Sequence, residues 1–146
     1  MSSNNGDLYE HSQIKADCQS QKIIIADQLL LENMKLIKRM RKLKENWDGY
    51  GALAIEKTII DETERLLRSL EYQPILSPTG RGSIDLTFEN NDDVLNYEIF
   101  PDMVLKINIY NKDYNNAMGG KYTIEHISKI REEVISFYES GECPHT

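Results

Sequence analysis

Apolar and polar residues follow two different rhythms along this chain, and the change of rhythm divides it. From about Gln21 to Lys44, the residues Leu29, Leu36, Met40, Leu43 and Trp47, flanked by Ile25, Leu30 and Ile37, fall on one side of a helix. A second stripe of Ile55, Ile59, Thr63, Leu66 and Leu70, with Ile60 and Leu67 alongside, predicts another helix ending near Leu70 or Glu71. Pro74 and Pro78 bar further helix, so the segment to Gly82 reads as a short extended piece and a turn. The period then drops to two. Ile84, Leu86 and Phe88, then Leu95, Tyr97 and Ile99, then Met103, Leu105, Ile107 and Ile109 alternate with polar residues. Asn90-Asn91-Asp92-Asp93 and Pro101-Asp102 supply turns, so these runs predict an antiparallel meander whose apolar side lies under the helices. Asn111 to Lys121 reads as a polar loop. A third helix is expected from about Thr123 to Ser140, with Ile124, Ile127, Ile130, Val134, Phe137 and Tyr138 inward.

The expected fold is therefore α+β: two N-terminal helices, a three- to four-stranded antiparallel sheet and a C-terminal helix. Residues 1–20 are polar and read as a flexible arm, 21–140 as a single domain and 141–146 as a flexible tail.

Between the first two stripes lies Asn46-Trp47-Asp48-Gly49-Tyr50-Gly51-Ala52, which contains the chain's one Trp. Gly49 and Gly51 can take positive φ, Asn46 and Asp48 can tie down freed amides, and Trp47 has an apolar body with one N–H to satisfy. These residues predict a structural corner that stops one helix and starts the next, with Trp47 buried between the two; a ligand loop is the rival reading.

The heptapeptide, followed by the helix around Ile55 and the run Pro78-Thr79-Gly80-Arg81-Gly82-Ser83-Ile84-Asp85-Leu86, resembles a group of small bacterial and mobile-element proteins carrying an N-W-D-G-x-G-A signature. The likeness extends over about Leu43 to Ile99, specific in the heptapeptide and loose elsewhere. Members of that group often have Pro-Ile directly after the signature, where this chain has Leu53-Ala54-Ile55. The resemblance implies a shared corner and sheet and carries no chemistry.

Composition narrows the class. Hydrophobic residues make up 40% and charged residues 28% of 146, which suits one soluble domain. No apolar run is long enough to cross a bilayer and the N-terminus lacks the features of a signal peptide, so a cytoplasmic location is expected. Cys18 and Cys143 sit near the two ends without a second thiol at ligand spacing, so neither a disulfide framework nor a metal site is expected.

The net charge of −7 is unevenly spread. Lys35, Lys38, Arg39, Arg41, Lys42 and Lys44 gather on the first helix, with Lys35, Lys38, Arg39 and Lys42 opposite the apolar stripe. That separation points to an anionic ligand, or to homo-oligomers in which unlike faces meet. A nucleic acid is not expected, because the sequence pI is near 5.0 and no aromatic residues interleave with the cations. Arg81 between Gly80 and Gly82 could donate a forked hydrogen bond to an anion, with Lys38, Arg39 or Lys42 adding potential.

Catalytic patterns are absent: His11 and His145 lie near the ends, His126 lacks a partner by spacing, and no nucleophile elbow, zinc or thiol motif occurs. The expectation is a non-enzymatic binding protein without cofactor, holding an anionic small molecule or a host protein. Analogy with mobile-element proteins suggests a phage-encoded counter-defence role, sequestering a nucleotide-type ligand. The alternatives are an inhibitor or antitoxin-like protein module, and a small hydrolase with an unrecognised site.

Overall fold

The computed structural model describes residues 27–139; the expected arm and tail, both cysteines and the Ile25 position lie outside them. Helix α1 occupies 27–40 and buries Asn33, Ile37 and Met40, one face at helical spacing. It ends four residues before Lys44 because its last turn tightens: Lys42 N–H bonds to Arg39 O and Leu43 N–H to Met40 O. Helix α2, Lys57–Ser69, buries Ile59, Ile60, Thr63, Leu66 and Leu67. Its C-terminal carbonyls are taken up by side chains, since Gln73 Nε2 donates to Leu67 O at 2.7 Å and Leu70 O at 3.3 Å. Asn33 Nδ2 in turn donates to Gln73 Oε1 and Pro74 O, both at 3.1 Å, so a buried amide pair joins α1 to the end of α2.

The sheet has five strands rather than three or four: β1 Ile75–Pro78, β2 Ile84–Asn90, β3 Asp93–Ile99, β4 Met103–Ile109 and β5 Met118–Thr123. They follow one another in chain order and every pair is antiparallel. The two added strands are the edges. Pro78 ends β1 on an edge, where a missing N–H is tolerated, and β5 carries Gly119-Gly120 without an apolar alternation. The expected third helix is shorter: a 3-10 helix covers Ile124–Ser128, and α3 proper runs Lys129–Glu139 with Ile130 and Val134 buried.

All three helices lie on one face of the sheet, sharing a core with Leu76, Ile84, Leu86, Phe88, Leu95, Tyr97, Ile99 and Val104. Register corrects the expectation for β4. Ile99 pairs with Val104, Tyr97 with Lys106 and Leu95 with Asn108, so the helix-covered face of β4 carries Val104, Lys106 and Asn108. Met103, Leu105, Ile107 and Ile109 point to the opposite face, which none of these three helices covers.

Candidate functional site

The predicted corner is a loop folded on itself within residues 41–56, not a tight joint between helices. Asp48 Oδ1 accepts the Tyr50 and Ala52 amides at 2.8 and 3.0 Å, and Asn46 Oδ1 accepts the Gly51 amide at 2.7 Å. Asn46 N–H closes the ring on Ala52 O at 2.7 Å. Asn46, Gly49 and Gly51 have φ of 63°, 80° and 86°. These amide contacts to Tyr50 first, and to Ala52, outweigh desolvation and hold the Asp48 carboxyl below its ordinary range. The expected burial of Trp47 between the helices is corrected to half-burial. Its indole N–H donates to Leu53 O at 3.1 Å, so the ring clips the loop's entry to its exit instead of filling the core.

Structure brings this loop onto the second singled-out turn. Leu53 N–H donates to Gly80 O at 2.9 Å, and Leu53 and Arg81 form an isolated parallel bridge. A Cβ on Gly80 would stand 3.6 Å from Ala52 Cβ and 3.8 Å from Asp48 Oδ2, and its φ of 87° strains any other residue.

The expected anion cradle is corrected by what its groups already hold. Arg81 N–H donates to Thr79 Oγ1 at 3.1 Å. Its guanidinium forks onto Glu98, with Nε at 3.0 Å from Oε2 and Nη2 at 2.8 Å from Oε1. Ser83 Oγ also donates to Glu98 Oε2 at 2.5 Å. Glu98 thus occupies the place assigned to an external anion. Lys38, Arg39 and Lys42 are exposed and hydrogen-bond to none of Gly80, Arg81 and Gly82. Arg41, one residue past the end of α1, reaches α2 and pairs with Asp61 at 2.7 Å and Glu64 at 3.2 Å.

A further polar cluster escaped the sequence pattern. Glu133 on α3 accepts from Tyr97 Oη at 2.7 Å, Lys106 Nζ at 2.8 Å and Tyr122 Oη at 3.2 Å. Desolvation acts against both charges of the Lys106–Glu133 pair, but their mutual hydrogen bond and attraction prevail: Lys106 is raised and Glu133 lowered. Burial, then the bond to Glu133, raises the Tyr97 phenol. Beside the cluster a cleft of about 460 Å³ is lined by Asp93, Lys106, Asn108, Tyr110, Glu132 and Phe137, among others. The visible signal was Lys106 inside an alternating apolar run, which placed it on the wet face by pattern alone.

Among the described residues no group of three or more His, Cys, Asp or Glu could hold a metal ion, and no helix is long and apolar enough to cross a membrane. No family model, curated protein or solved structure matches the chain.

Proposed function

We propose that the protein is a non-enzymatic binding protein whose α1 presents a basic face to an acidic surface of a partner protein, as an inhibitor or antitoxin-like module would. One observation carries this: Lys35, Lys38, Arg39 and Lys42 are all exposed, and among the described residues none of them forms an ion pair. In a chain of net charge −7, cations left unpaired along α1 and the turn after it create a local positive potential that steers and registers an anionic partner. The four stand on the outer side of α1 and of the turn after it, and none of the three clefts described is lined by any of them. An extended acidic surface matches that placement better than a small ligand, which needs concavity.

The second reading, sequestration of a nucleotide-type anion, draws on the same four cations. Titration separates the two. Poly-L-glutamate, a panel of cyclic dinucleotides and nucleoside triphosphates are each added to the full chain and to Lys38→Glu/Arg39→Glu. Salt-sensitive binding of poly-L-glutamate by the wild type alone is the expected result. Saturable binding of one nucleotide would transfer the conclusion to the second reading, and no binding of either kind would remove both.

A further inference from the structure

The cleft of about 460 Å³ lies between α3 and the place where the end of β4 runs beside the start of β3. It falls within the size of small-molecule sites, about 300 to 1,000 Å³. One lining residue breaks the pattern of the sheet. A row of paired residues on the helix-covered face reads Phe88, Leu95, Asn108, Met118 from β2 to β5, so an amide stands among apolar side chains. Its Oδ1 is buried and meets no donor among the described residues. A buried oxygen without a partner destabilises a fold, and a leucine would match the neighbours, so the amide answers to something other than folding. The charges beside it are also incompletely matched. Lys106, the one cation of the lining, is committed to Glu133 at 2.8 Å. Asp93 gives Oδ1 to the Asn111 amide at 2.8 Å and keeps Oδ2, while Glu132 forms no ion pair among the described residues. The lining thus holds two carboxylates without a counter-charge.

We infer that this cleft binds a small organic cation that carries N–H donors, an alkyl diamine or a guanidino amine. One N–H goes to Asn108 Oδ1, and the positive charges answer Asp93 and Glu132. The terminal torsion of asparagine is broad, so a small rotation of the amide offers that oxygen to the cleft. Tyr110 and Phe137 add two rings to the lining, and ring faces attract a cation. A neutral or anionic ligand would meet two uncompensated carboxylates, so charge selects the class. A metal ion matches less well, because among the described residues no group of three or more acids, histidines or cysteines could hold one. An organic cation spreads its contacts over several groups, and the unpaired amide oxygen gives it a fixed point. The site is separate from the α1 surface, none of whose four cations lines the cleft.

Isothermal titration calorimetry of the full chain tests this with putrescine, agmatine, tetramethylammonium chloride and magnesium chloride, all at equal ionic strength. Saturable binding of putrescine or agmatine is the expected result. Tetramethylammonium, which has the charge without an N–H, should bind about tenfold more weakly. Asn108→Leu should lose the binding while its denaturation midpoint rises, since the unpartnered oxygen is gone. Asn108→Ala reads out the same loss if the leucine variant does not fold. Glu132→Gln, at an exposed position, should weaken binding a few-fold and leave the midpoint unchanged. No saturable heat with either amine overturns the inference, as does binding that the Asn108 variant retains in full. Magnesium or tetramethylammonium bound as tightly as the amines overturns it too.

Discussion

Arg81 and Glu98 face each other across the start of the sheet, the guanidinium forked on a carboxylate whose side chain is 13% exposed while the arginine's is 65% exposed. Solvent discounts the arginine's share, but its removal leaves a sheltered carboxylate with Ser83 as its remaining donor. Arg81→Ala should therefore destabilise by about 1 kcal/mol. Urea midpoints of Arg81→Ala, Glu98→Gln and the double variant check this; additive effects would show that the two side chains do not couple.

Asp48 organises the loop through backbone amides, so its charge should be felt there. A carboxyl held below its unfolded value adds stability that is present above that value and is lost as pH falls through the folded one. The Tyr50 and Ala52 amides should lose protection from hydrogen exchange only as pH falls below the range where free aspartate protonates, about pH 4. Asp48→Ala should lose it at neutral pH, and Asp48→Asn, which keeps an acceptor, should retain most of it. Protection that is flat with pH would contradict this.

Glu133 is the common acceptor for Tyr97, Lys106 and Tyr122, and the Lys106 side chain is only 17% exposed. Glu133→Ala strands a half-buried ammonium and two hydroxyls, and should cost roughly 2 to 4 kcal/mol. Glu133→Ala with Lys106→Met should recover part of that. The lowered Glu133 loses its contribution as pH falls through its folded value; the raised Lys106 keeps its own below its unfolded value and loses it as pH climbs through the folded one. Glu133→Gln should thus flatten both the acid and the alkaline limb of the denaturation midpoint plotted against pH.

Trp47 sits on the loop and Phe88 in the core, at 1% exposure. Trp47→Ala should cost about 1 to 2 kcal/mol and Phe88→Ala about 3 to 5. Fluorescence offers a second check, since a half-buried indole bonded to Leu53 O should emit between the values for a buried ring and a free one. Equal costs for the two variants would return Trp47 to the core.

Local order was legible in the residues themselves. The α2 stripe from Ile59 to Leu67, the α3 pair Ile130 and Val134, and the alternation of β2 and β3 each arise within one element, so their spacing is sufficient to place them. The hydrogen-bonding tendency of Asn46 and Asp48 was likewise written in their short polar side chains. Tertiary structure decided whatever depends on two elements at once. The parity of β4 was one such matter: its apolar residues alternate cleanly, yet pairing with β3 turns Lys106 inward and Ile107 outward, because one residue of register exchanges the faces of a strand. Edge strands β1 and β5 exist through their neighbours' hydrogen bonds and carry little pattern of their own. Arg81 looked available because the Glu98 that neutralises it is 17 residues away in sequence, and Glu133, outside the inward stripe of the third helix, gains its role only where α3 sets it over Tyr97 and Lys106. Charge in a sequence is a count, whereas in a fold it is a set of distances, and only the distances say which cations are left for a partner.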